Sequence, residues 1–164
     1  MQKTMKKLKK STKVGLSFGL TSAIITTLGL FIGLSSATNN KLIVISGIIT
    51  IAVADAFSDA LGIHLSEESD RRNTKAHIWK ATTSTFFTKL IIALTFLIPI
   101  LLFNLQTAII ISIIYGLSLL SLFSYYIAKS REDNPIRTIA EHLTIAIVVI
   151  ILTKLIGQAI ATYL

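Results

Sequence analysis

The chain contains no cysteine, which excludes disulfide bridges, thiolate metal ligands and cysteine nucleophiles. Charge is also scarce. Only 15% of the 164 residues are Asp, Glu, Lys or Arg, and the acids number 8 against 16 bases. No glycine-rich phosphate loop, nucleophile elbow or H-E-x-x-H pair occurs. These absences leave no recognisable enzyme chemistry, and no enzymatic activity is expected.

What is present is apolar. Hydrophobic residues make up 52% of the chain, and the mean hydropathy is +0.73. They lie in long runs bounded by polar clusters, the pattern of membrane-spanning helices in an all-α integral membrane protein. Five spans are predicted, at about 14–37, 42–65, 85–103, 107–128 and 138–163, preceded by a basic tail over 1–13. All five are long enough for the ~30 Å hydrocarbon core at ~1.5 Å per residue. The third contains Pro99, which is expected to kink it.

The net charge of +8 resembles a nucleic-acid signal until its placement is considered. Six lysines (Lys3, Lys6, Lys7, Lys9, Lys10, Lys13) precede the first span. Arg71, Arg72, Lys75, Lys80 and Lys89 fall between the second and third. Lys129, Arg131 and Arg137 lie between the fourth and fifth. Together these are 14 of the 16 basic residues, all on one side. That side is read as cytoplasmic, with the N-terminus on it, and no nucleic-acid partner is implied. Trp79, Lys80 and Lys89 read as interfacial anchors. Lys154 reads as the only deep basic residue, in the outer half and able to snorkel outward. The lysine-rich start, with no targeting segment, fits a prokaryotic plasma membrane.

Gly15, Gly19, Ser22, Thr26, Gly29 and Gly33 are spaced 4, 3, 4, 3 and 4 along the first span. At ~100° per residue they fall within about 40° of one line. Such a stripe permits close helix contact, either at a homodimer seam or with a neighbour in the same chain.

The stretch AVADAFSDALGIHLSEESD places Asp55 and Asp59 one turn apart inside the second span. They would lie ~20 and ~26 Å from its outer boundary. A central carboxylate costs roughly 2.5–3.5 kcal/mol to insert, so two imply a role. With Lys154 at another depth, the aspartates are expected to face water, protons or a cation. Hard carboxylate oxygens suit divalent ions, and a two-fold dimer would bring four of them to one axis. Further along, His64, Glu67, Glu68, Asp70 and His77, with Glu141 and His142 at similar depth, are candidates for a cation-gathering vestibule. Two other classes stay open: a non-transporting membrane scaffold, and a proton-coupled transporter of another small cation. Paired aspartates also serve some membrane proteases, although those usually sit on different helices.

Several runs carry a family likeness. GLSFGLTSAIITTLGLFIG resembles the first helix of the vacuolar iron transporters, and AVADAFSDALGIHLS their second. ATTSTFFTKLIIALTFLIPILLF is similar to the third, and IRTIAEHLTIAIVVIILTKLIGQ to the fifth. The resemblance implies five helices, a cytosolic N-terminus, a homodimer, and export of Fe²⁺ or Mn²⁺ in exchange for protons along the dimer interface. It tips the small-residue stripe towards the dimer seam. Asp55 and Asp59 would be the transit ligands, with Glu67, Glu68 and His64 at the cytoplasmic entrance. The sequence departs from the family in three ways. Phe18 stands where the family has an acid, Asp55 stands where it has a methionine, and the cytosolic metal-binding domain is absent. Exchanging a thioether for a carboxylate favours harder ions.

Overall fold

A computed structural model describes residues 2–163, with side chains from Lys10 onward. The side chains of Lys3, Lys6, Lys7 and Lys9 lie outside the described residues. Six α-helices follow one another: α1 Gln2–Thr38, α2 Lys41–Ser69, α3 Lys75–Thr95, α4 Leu97–Leu102, α5 Leu105–Arg131 and α6 Pro135–Tyr163. Five stretches are long and apolar enough to cross a membrane, with α3 and α4 together forming the third, Lys75–Leu102.

Local chemistry sets the boundaries. α1 ends where Asn39 takes a left-handed conformation (φ 45°), and its N–H then bonds the Ser35 carbonyl at 3.0 Å. Asn40 caps α2 by accepting from the N–H groups of Leu42 and Ile43. Thr74 caps α3, and Asn104 caps α5. Glu132, left-handed at φ 61°, closes α5, and Pro135 opens α6 behind the cap of Asn134. The third span breaks at Phe96, because Pro99 has no N–H to donate to the preceding turn. Thr95 reinforces the break, bonding the Ile92 carbonyl at 2.6 Å and the Tyr115 hydroxyl at 2.9 Å.

α1 is the hub, packing against α2, α3, α5 and α6. Ile24 and Leu28 of α1 meet Phe96, Leu120 and Ala146, while Phe31 meets Val44, Ile48, Ile100 and Ala108. Outward faces remain apolar, as at Phe57, Leu61 and Leu65 of α2 and Ile151 and Leu155 of α6. Lipid removes the usual hydrophobic drive between helices, so small residues and interhelical hydrogen bonds must hold the bundle.

The small-residue stripe does this within one chain. A Cβ added at Gly15 would lie 2.5 Å from the Ala81 carbonyl oxygen, so α1 and α3 touch backbone to backbone there. Gly19 faces Thr85 and Thr88 of α3, whereas Gly29 and Gly33 face Val149 and Thr153 of α6. Gly157 answers Gly33 from α6 at the same close approach. The face assigned from sequence to a dimer seam is therefore filled by α3 and α6 of the same chain. The stripe turns gradually around α1 and so serves two neighbours in succession.

Candidate functional site

Asp55 and Asp59 lie beside the buried alanine ridge Ala52, Ala56 and Ala60 of α2. Methyl-sized side chains bring α2 close to its neighbours and direct both carboxylates towards α3. The opposing face of α3 repeats every four residues as Ala81, Thr85, Lys89 and Ala93, all buried. Lys89 Nζ lies 2.6 Å from Asp55 Oδ2 and also donates to Asp59 Oδ2. Ser22 of α1 donates to the same Asp59 oxygen at 2.7 Å, and Lys89 Nζ donates to Ser22 Oγ at 2.7 Å. The lysine side chain is 1% exposed, against 23% for Asp55 and 19% for Asp59.

Three helices thus meet at one polar knot with one formal negative charge in excess. An unpaired buried carboxylate would be costly, and the ammonium together with the serine hydroxyl offsets that cost.

This geometry corrects the sequence reading of Lys89 as an interfacial anchor, and with it the expectation that no lysine shares the aspartates' depth. The apolar run begins at about Thr85, but the helix begins at Lys75. Lys89 is therefore 14 residues, or ~21 Å, inside the third span. The signal that marks it is its place in the four-residue repeat Ala81, Thr85, Lys89, Ala93. Lys154, by contrast, is exposed on α6.

The other acids and histidines do not join this knot. His64 Nδ1 lies 3.0 Å from Thr82 Oγ1, and its ring meets Trp79 edge-on at 4.9 Å. Thr82 already donates to the Ile78 carbonyl, so its oxygen is left to accept from His64. Glu67 bonds His77 Nε2 at 2.9 Å and Asn73 Nδ2 at 2.8 Å. Glu68 is exposed, and Asp70 is held by Arg72 at 2.9 Å. Glu141 pairs with Arg137, and His142 bonds Ser124 at 2.7 Å, on the α5–α6 side of α1. Among the described residues no three His, Asp or Glu side chains gather as a metal site. The expected vestibule is instead two separate polar patches. One of them, with Glu67, Asn73, His77, Ser66, Asp70 and Lys10, lines a cavity of about 350 Å³. Phe18, one turn before Ser22, lines a second cavity against α5 and α6.

The sequence profile of the VIT family, the vacuolar iron transporters, matches residues 16–80. That stretch holds Ser22, Asp55, Asp59 and most of the glycine stripe, and it stops nine residues short of Lys89. No curated protein matches the chain. Five apolar helices support an integral membrane protein, and the family that this stretch resembles is one of metal-ion transporters. Over its first two spans and the turn into the third, the chain is similar to the VIT family.

Proposed function

We propose that this protein carries divalent cations of the Fe²⁺ or Mn²⁺ class out of the cytosol in exchange for protons, as a homodimer with its pathway at the dimer interface. The observation that carries this reading is the convergence of Asp55 and Asp59 on a single cation, the Lys89 ammonium. A position that binds one cation through two carboxylates has the charge and the hard oxygens for another. Lys89 is then a resident, tethered cation. A divalent ion reaches the carboxylates by displacing it, and its return refills the position after the ion leaves. Protons returning along the path would use the same carboxylates.

The basic residues favour a cytoplasmic N-terminus. On that orientation Glu67, lining the 350 Å³ cavity, and the exposed Glu68 give the inner end an acidic mouth. His64, engaged with Thr82, would flank it.

One observation favours a non-transporting scaffold instead: the aspartates already have their counter-ion in Lys89, and Phe18 supplies no further acid. Mn²⁺ flux into proteoliposomes separates the two readings. The transporter predicts flux in the wild type that falls at least tenfold in both Asp55→Asn and Asp59→Asn. Absence of wild-type flux would overturn the divalent-cation reading, and flux unchanged in both variants would overturn Asp55 and Asp59 as its ligands.

A further inference from the structure

Helices α1, α5 and α6 enclose a cavity of about 690 Å³. Its upper lining is cationic, with Lys10 and Lys13 from α1, Arg131 from the end of α5 and His142 from α6, and no acidic side chain lines it. Lys10 also borders the Glu67 cavity, so Lys13 and Arg131 define this one. Lys13 makes no ion pair among the described residues. Arg131 has only the exposed Asp133, at 3.2 Å.

The lining changes with depth. From Lys10 to Thr21 it descends 11 residues along α1, or ~16 Å. The hydroxyls of Ser17 and Ser130 follow the cations, and Leu16, Phe18 and Phe123 form apolar walls. Tyr126, also in the lining, is 62% exposed, so the cavity is continuous with the lipid-facing surface.

We infer that this cavity binds the headgroup of an anionic phospholipid, with its phosphate at Lys13 and Arg131 and its first acyl carbons against Leu16, Phe18 and Phe123. Metal cations are repelled by the same lining. A free phosphate would leave the apolar walls unused, whereas a lipid satisfies both parts. Clustered basic residues at the membrane surface are the usual recognition chemistry for anionic lipid. The inference does not depend on whether the chain transports metal.

Native mass spectrometry of the full chain in neutral detergent tests it, using dioleoyl-phosphatidylglycerol, dioleoyl-phosphatidylcholine and inorganic phosphate as probes. Phosphatidylglycerol should bind selectively, and Lys13→Gln with Arg131→Gln should weaken it roughly 30-fold, at about fivefold per basic residue. Lys154→Gln, an exposed lysine elsewhere, should bind as the wild type does. Lys13→Gln alone, at an exposed position, reads the same effect at about fivefold if the double variant does not fold. Equal retention of phosphatidylcholine, equal binding of phosphate alone, or undiminished phosphatidylglycerol binding by the variants would overturn the assignment.

Discussion

Asp59 and Glu67 are eight residues apart on the same helix, two turns or ~12 Å, yet their partners differ in kind. Asp59 is bonded by an ammonium and a hydroxyl brought from α3 and α1. Glu67 is bonded by an imidazole and an amide, one from the start of α3 and the other from the turn just before it. Asp59 lies two turns further into the apolar part of α2, and there a charge answers its charge. Glu67, about as exposed as Asp59 (17% against 19%), sits near the helix end, within reach of side chains from the first turn of α3 and the turn before it. Depth, rather than residue type, selects the partner, and the inner site therefore carries the greater energetic consequence.

Replacing the inner cation should break this contrast most strongly. Lys89→Leu leaves two carboxylates unpaired in the interior, and removing one member of a buried pair costs about 3–5 kcal/mol. The unfolding midpoint in detergent should fall accordingly, and millimolar Mn²⁺ should restore part of it if the vacated position accepts a divalent ion. Ser22→Ala is next. It deletes the hydroxyl that donates to Asp59 and accepts from Lys89 but leaves both ion pairs of Lys89 in place, so the same thermal measurement should show a smaller loss, about 1.5–3 kcal/mol. The smallest effect belongs to the outer site. Glu67→Gln keeps an acceptor for His77 or Asn73 and should cost less than about 1.5 kcal/mol. A loss at Glu67 as large as that at Lys89 would mean that depth does not govern these partners.

The five spans were legible because hydropathy reports directly on lipid exposure, and Pro99 announced the break at Phe96. The i, i+4 placement of Asp55 and Asp59 was equally plain from sequence. Lys89 was not, because hydropathy marks where apolar side chains begin, not where the helix begins. The ten residues from Lys75 to Ser84 are helical but mixed in polarity, so the apolar boundary fell short and the lysine looked peripheral. Counting from the Thr74 cap and following the buried repeat through Ala81 and Thr85 places it correctly. The stripe misled for a different reason. Spacing reveals that a backbone will approach, but says nothing of whose backbone it is, and α3 and α6 occupy that face in turn. The partners of Glu67 and His64 come from α3 and the turn before it, and only the fold brings them together.

The pairing of α2 with α3 also bears on how the chain is made. Asp55 and Asp59 emerge from the ribosome thirty or more residues before the lysine that neutralises them. An α2 segment alone would present two uncompensated charges to the bilayer, at roughly 2.5–3.5 kcal/mol each. Synthesis through Lys89 supplies the counter-ion on the returning helix. The α2–α3 hairpin, rather than either helix singly, is thus the natural unit of insertion, and the ion pair acts as a ticket that admits both helices together.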